Sequence, residues 1–148
     1  MSTARAVAAA VMFVWLGMVV AISFIETPLK FRAPGVSLAI GLGIGRLVFR
    51  ALNTVEAVLA VVLLIAGLID PPPLTVAVAV GVAVVALIAQ LAVVRPLLSR
   101  RSDAVLVGAG APGSDGPSRR SHAHYGYVAL EVVKVVALIV GGSALLAA

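Results

Sequence analysis

Of the 148 residues in this chain, 62% are hydrophobic and only 11% are charged, and the mean hydropathy is +1.19, whereas a soluble domain carries about 25% charged residues. That composition excludes a water-soluble globular domain, and the absence of cysteine excludes disulfides, thiolate metal sites and cysteine catalysis. The net charge of +5 does not signal nucleic acid, because the basic residues flank apolar stretches and do not alternate with exposed aromatics.

Four stretches approach the 17–25 residues that cross about 30 Å of hydrocarbon: 7–25, 51–68, 74–94 and 125–146. They predict an all-α integral membrane four-helix bundle, a single transmembrane domain over 1–148. Arg5 followed by an apolar run resembles a secretory signal. No small-residue A-x-A pattern follows, and the run ends at polar Glu26, so a retained first span is expected.

Before the second span lies GVSLAIGLGIGRLVFRALN, a glycine-rich helical segment with Ser37, Gly41 and Gly45 at the small-xxx-small spacing that lets helix backbones approach closely in lipid. An unbroken helix over 35–69 is about 50 Å long at 1.5 Å per residue. It therefore has to bend, protrude or lie partly in the interface. Arg46 and Arg50, four positions apart, share a face and are placed to meet lipid phosphates, their simpler role being a membrane anchor.

Asp70-Pro71-Pro72-Pro73 enforces a tight turn, since three prolines cannot continue a helix interior, and this makes spans two and three an antiparallel hairpin. The third span, LTVAVAVGVAVVALIAQLAVV, alternates valine with small residues as a strand would. An isolated strand leaves its backbone unpaired in lipid, and the run is about twice a barrel strand in length, so a helix is predicted. Gln90 is its one internal polar residue. The stretch 99–121 is rich in Gly, Ser and Pro and reads as a flexible loop; its GAGAPGSDG lacks the lysine and hydroxyl of a phosphate-binding loop.

If each stretch spans once, the connections after the first and third spans carry nine basic residues (Lys30, Arg32, Arg46, Arg50, Arg95, Arg100, Arg101, Arg119, Arg120), and the other side carries only Arg5. The positive-inside rule then predicts a multi-pass plasma-membrane protein with both connections in the cytoplasm and both termini outside.

Under that topology nearly all the polar side chains fall in the cytoplasmic leaflet. Glu26 closes the first span, Asn53 and Glu56 open the second, Gln90 and Arg95 end the third, and His122, His124, Tyr125 and Tyr127 open the fourth. His124, Tyr127, Glu131 and Lys134 follow a 3-4-3 spacing and form one stripe; Arg50, Asn53 and Glu56 form another. If both stripes turn inward, the bundle encloses a polar pocket.

Charges at bilayer depth cost roughly 2.5–3.5 kcal/mol each on insertion scales, which makes them functional candidates. Glu131 and Lys134 can neutralise each other at i,i+3, Glu26 can be an interfacial residue near Lys30, and His124 can be a hydrogen-bonded interfacial histidine. Tyr125 and Tyr127 fit an aromatic belt, and Trp15, mid-span, reads as packing. Glu56 has no basic neighbour one turn away on its apolar side and most needs an explanation.

Carboxylates with a histidine suit a hard or borderline divalent metal, with Glu26, Glu56, His124 and Glu131 as candidate ligands, although the Glu-x-x-His pairs of di-iron bundles are absent. A proton relay asks less of the same residues. The runs SFIETPLKFRAPG and RLVFRALNTVE, with a last span opening on His124, resemble the small four-span membrane proteins of the domain-of-unknown-function 4149 type. In that family the last-span histidine is followed along one face by a small hydroxyl residue and an amide; Tyr127 or Val128 and Glu131 stand at those places here. The resemblance implies a four-span fold and brings no established reaction.

Three functions are therefore weighed. The first is binding or translocation of a small solute or ion, proton-linked, by a homo-oligomer using Glu26, Asn53, Glu56, Gln90, His124, Tyr127, Glu131 and Lys134. The second is a membrane-embedded, metal-dependent enzyme. The third is a non-catalytic subunit of a larger membrane complex, docked through Ser37, Gly41 and Gly45, with membrane lipids as partners in every case.

Overall fold

The structure is a computed structural model that describes residues 1–94 and 118–148, with the backbone alone at Leu38, 93–94 and 118–124. Every secondary-structure element among the described residues is a helix, with no strand, and four of the helical stretches are long and apolar enough to cross a membrane. In hydrocarbon a helix is favoured because it satisfies every backbone group within its own segment. Most of the predicted loop 99–121 lies outside the described residues.

Helix α1 (Thr3–Val19) starts on Ser2, whose hydroxyl accepts from the Arg5 amide at 3.2 Å. It continues through a π-helical stretch, Val20–Glu26, into the single turn α2 (Thr27–Lys30). Pro28 explains the change of register. It has no N–H to give the carbonyl four residues back, and its ring crowds that carbonyl. The Thr27 amide bonds instead to the Ile22 carbonyl, five residues back, and the Thr27 hydroxyl donates to the same oxygen at 3.0 Å.

Gly35, with φ of 80° in the left-handed region, turns the chain into α3 (Leu38–Ile69), capped by the Ser37 hydroxyl. The 32 residues of α3 form one continuous helix of about 48 Å. It runs without a break and is longer than a hydrocarbon core of about 30 Å is thick. Pro71–Pro73 turn the chain into α4 (Leu74–Ala89), which again passes into a π-helical stretch, Gln90–Val94. A proline stands two residues beyond each π-helical stretch in the sequence, Pro28 and Pro96. The last helix, α5 (Ser118–Ala147), packs mainly against α4 and α1, and α1 packs against α3.

The apolar core is built from Met12, Trp15 and Val19 of α1, Leu63 of α3, Ala83 and Leu87 of α4, and Leu138 and Leu145 of α5. Side chains such as Val58, Val61, Val85, Ile88 and Val136 point outward, as lipid-facing positions do. Helices approach closely at Gly141 and Gly142. A Cβ on Gly141 would stand 2.8 Å from Met12 Cε and 2.9 Å from Ala79 Cβ, and one on Gly142 would stand 3.0 Å from the Phe13 ring.

Gly41 and Gly45, expected at a helix–helix contact, are covered by the C-terminal end of α2. A Cβ at Gly41 would lie 2.3 Å from the Phe31 ring, and one at Gly45 would lie 3.0 Å from Lys30 Nζ.

At the hairpin end, Arg5 forms an ion pair with Asp70 at 3.1 Å, and the Ser2 hydroxyl also donates to that carboxylate. These contacts, the Ser2 hydrogen bond foremost and Arg5 next, hold the Asp70 carboxyl below its ordinary value of 3.8. A depressed pKa adds stability above the unfolded value and loses it as pH falls through the folded one. The expected result is an acid-labile component of stability below about pH 4 that disappears in Asp70→Asn. Denaturation midpoints measured from pH 6 to pH 2 check it, and equal acid profiles for the two proteins would contradict the clamp.

Candidate functional site

The buried charges converge on one cluster to which all four long helices contribute. On α3, Glu56 is fully buried, with Asn53 one turn before it at 4% exposure; on α5, Glu131 and Lys134 are buried at 1% and 0%. Gln90, at the first position of the second π-helical stretch, is also at 0%, as is Trp15 of α1.

Lys134 Nζ sits between the two carboxylates. It donates to Glu56 Oε1 at 2.5 Å and lies 3.1 Å from Glu131 Oε1. Glu56 Oε1 also accepts from the Trp15 indole at 2.8 Å, and Glu131 Oε1 from the Gln90 amide at 2.7 Å. Each carboxylate thus uses one oxygen for two donors. Its other oxygen, Oε2, takes no hydrogen bond among the described residues, and neither do Asn53 Oδ1 and Gln90 Oε1. The Tyr127 hydroxyl faces Glu131 and has no bond of normal geometry. Two carboxylates and one ammonium leave a formal charge of −1 (−2 + 1) inside the bundle.

Glu56 lies fourteen residues before Asp70, and Lys134 thirteen before Ala147, so both are about 20 Å along their axes from the hairpin end. In a core of about 30 Å that places them in the opposite half.

The sequence stripe Tyr127, Glu131, Lys134 does turn inward as a unit. Of the second stripe only Asn53 and Glu56 do, and Arg50 remains exposed. Lys134 pairs with Glu131 within its helix as expected, but its shorter contact is across to Glu56. The side chain of His124 lies outside the described residues, and Arg46 is half-buried.

Glu26 stands apart from the cluster, engaged by Lys30 at 3.3 Å. Lys30 in turn lies 5.7 Å from the Phe31 ring centroid and 5.4 Å from that of Phe49. Phe49 meets Tyr127 edge to face at 5.2 Å. A continuous set of contacts therefore runs from the Glu26–Lys30 pair, through two aromatic rings, to the hydroxyl facing Glu131. Among the described residues no group of three or more His, Cys, Asp or Glu side chains gathers as a metal site would.

Trp15 is the member that sequence reasoning missed. An indole N–H at mid-span needs an acceptor, and that need was the available signal. A small cleft lies at the other end of the molecule, beside Arg5, Asp70 and Met12, and none of the cluster residues lines it.

Four helices of spanning length closed around an ion-pair network define a multi-pass membrane bundle with a polar centre. No family model, no curated protein and no solved structure matches the chain.

Proposed function

We propose that the protein binds or translocates a small solute or ion through this cluster, with a proton exchanged at Glu56 or Glu131. The observation that carries the reading is the unbalanced charge: two fully buried carboxylates share one ammonium, and each keeps one oxygen without a partner. An excess charge at this depth is costly and is retained where it serves a relay or a binding step. Lys134 is the fixed counter-charge, and Asn53, Gln90 and Tyr127 are the polar lining.

The nine-to-one distribution of basic residues supports placing the Lys30 end in the cytoplasm. The cluster is then reached from that side, past Phe49 and Tyr127. Four helices are few for a conduction path, which favours a homo-oligomer in the plasma membrane. The likeness to the domain-of-unknown-function 4149 type fits this membrane setting and adds no chemistry. A metal-dependent enzyme is the weaker reading, because Glu26, one of its four candidate ligands, is occupied by Lys30.

Reconstituted into liposomes containing a pH-sensitive dye, the protein is expected to carry a proton flux above that of empty vesicles when a potential is applied. Glu56→Gln and Glu131→Gln should each reduce that flux at least about a hundredfold, the lower end of the range general acid–base groups contribute. Equal flux in wild type and both variants would sink the reading.

A further inference from the structure

We propose that the cluster binds one monovalent metal cation of sodium size, held by Glu56, Glu131, Asn53, Gln90 and Tyr127 on the side of the carboxylates away from Lys134. The inference rests on the function just proposed and names the ion that shares the site with the proton.

The unpaired atoms select the guest. Glu56 Oε2, Glu131 Oε2, Asn53 Oδ1 and Gln90 Oε1 are all acceptors, and the Tyr127 hydroxyl completes a set of five oxygens. Their side chains are at least nine-tenths buried, with exposures of 0, 1, 4, 0 and 9% in the order Glu56, Glu131, Asn53, Gln90, Tyr127. The Gln90 amide donates its N–H to Glu131 Oε1, which holds that side chain against the carboxylates, Tyr127 lies beside Glu131, and Asn53 shares the buried face of α3 with Glu56.

A guest without positive charge or donors leaves these oxygens desolvated and unpaired, at about 1–3 kcal/mol each. A single proton serves two of them. A metal cation, which takes several oxygen ligands at once, serves more of them.

Charge and ligand type narrow the choice further. Oxygen-only donors suit hard cations and disfavour soft ones. With the cluster at −1, a monovalent ion brings the interior to neutrality, whereas a divalent ion would leave it at +1 in hydrocarbon. Lys134 does not compete for the same atoms, because its contacts are to the two Oε1 oxygens. Among the described residues, the charged and titratable groups facing the site are Glu56 from α3 and Tyr127, Glu131 and Lys134 from α5. From α1 and α4 come only the neutral Trp15 and Gln90.

The test uses the full chain in nanodiscs of neutral lipid, with thermal midpoints measured in sodium, potassium or choline chloride at one ionic strength, and in added magnesium. Sodium should raise the midpoint above choline and above potassium, since a ion that binds only the folded state stabilises it by mass action. Asn53→Ala and Tyr127→Phe, which remove an oxygen without changing charge, should each weaken the apparent sodium affinity by about tenfold.

Identical midpoints in sodium and choline would overturn the proposal, and so would a magnesium effect larger than that of sodium. Proton flux that persists in choline without any sodium stabilisation leaves the transport reading standing and removes the ion site. Sodium stabilisation without flux does the reverse.

Discussion

Lys134→Met is expected to weaken the assembled bundle by about 3–5 kcal/mol, the range measured when one partner of a buried ion pair is removed. The ammonium is fully buried and stands within 3.1 Å of both carboxylates, so its loss leaves a charge of −2 with no cation among the described residues in contact. Methionine nearly matches lysine in length, so packing around it changes little. Two effects of the substitution have opposite signs. Insertion of the isolated helix becomes easier, because lysine is among the residues least favoured at bilayer depth, while association of α5 with α3 and α4 becomes weaker.

Unfolding in mixed micelles of increasing SDS fraction separates the two, since it reports assembly and not insertion. The triple variant Lys134→Met, Glu56→Gln, Glu131→Gln should recover most of the loss, as neutral side chains replace the whole ion network. Wild-type stability in the single variant would show that Lys134 does not hold the carboxylates together.

Trp15→Phe has the second largest expected effect, a loss of about 1–3 kcal/mol from withdrawing a buried donor from a charged acceptor. The ring remains apolar and the helix unchanged, but Glu56 Oε1 keeps only the Lys134 bond. The same contact provides a spectroscopic readout. Trp15 is the only tryptophan in the chain, so tryptophan emission reports on the neighbourhood of Glu56. Glu56→Gln should shift the emission maximum, whereas Asp70→Asn, about 20 Å away along α3, should not. Equal shifts in both variants would contradict the Trp15–Glu56 bond.

These two results address the part of the molecule that the sequence described least well. Periodicity and length made the four spans legible, and the triple proline made the hairpin legible, because both follow from backbone chemistry in lipid. Of the 3-4-3 stripe on α5, Tyr127, Glu131 and Lys134 lie on one buried face, and the side chain of His124 is outside the described residues. Spacing acts only within a helix, however. It paired Lys134 with Glu131 and could not supply Glu56 with a partner, since that partner lies 78 positions away.

The glycines show the same limit. Gly41 and Gly45 have a spacing that suits a helix partner, yet they seat Phe31 and Lys30, residues only ten to fifteen positions earlier (41 − 31 and 45 − 30). The intimate helix contact falls at Gly141 and Gly142 instead. The π-helical stretches were also outside the reach of hydropathy, although a proline just beyond each one was visible.

By itself, the sequence determined that this chain crosses a membrane with four helices and that charges are buried within them, because hydrophobic length and the cost of a charge in lipid are properties of each segment alone. The tertiary structure decided which charges meet. It brought Trp15, Glu56, Gln90, Glu131 and Lys134 from four helices into one network and left Glu26 outside it with Lys30. The reason is physical: an ion pair forms where packing brings two side chains within about 3 Å, and helix rotation and π-helical register set that distance in three dimensions.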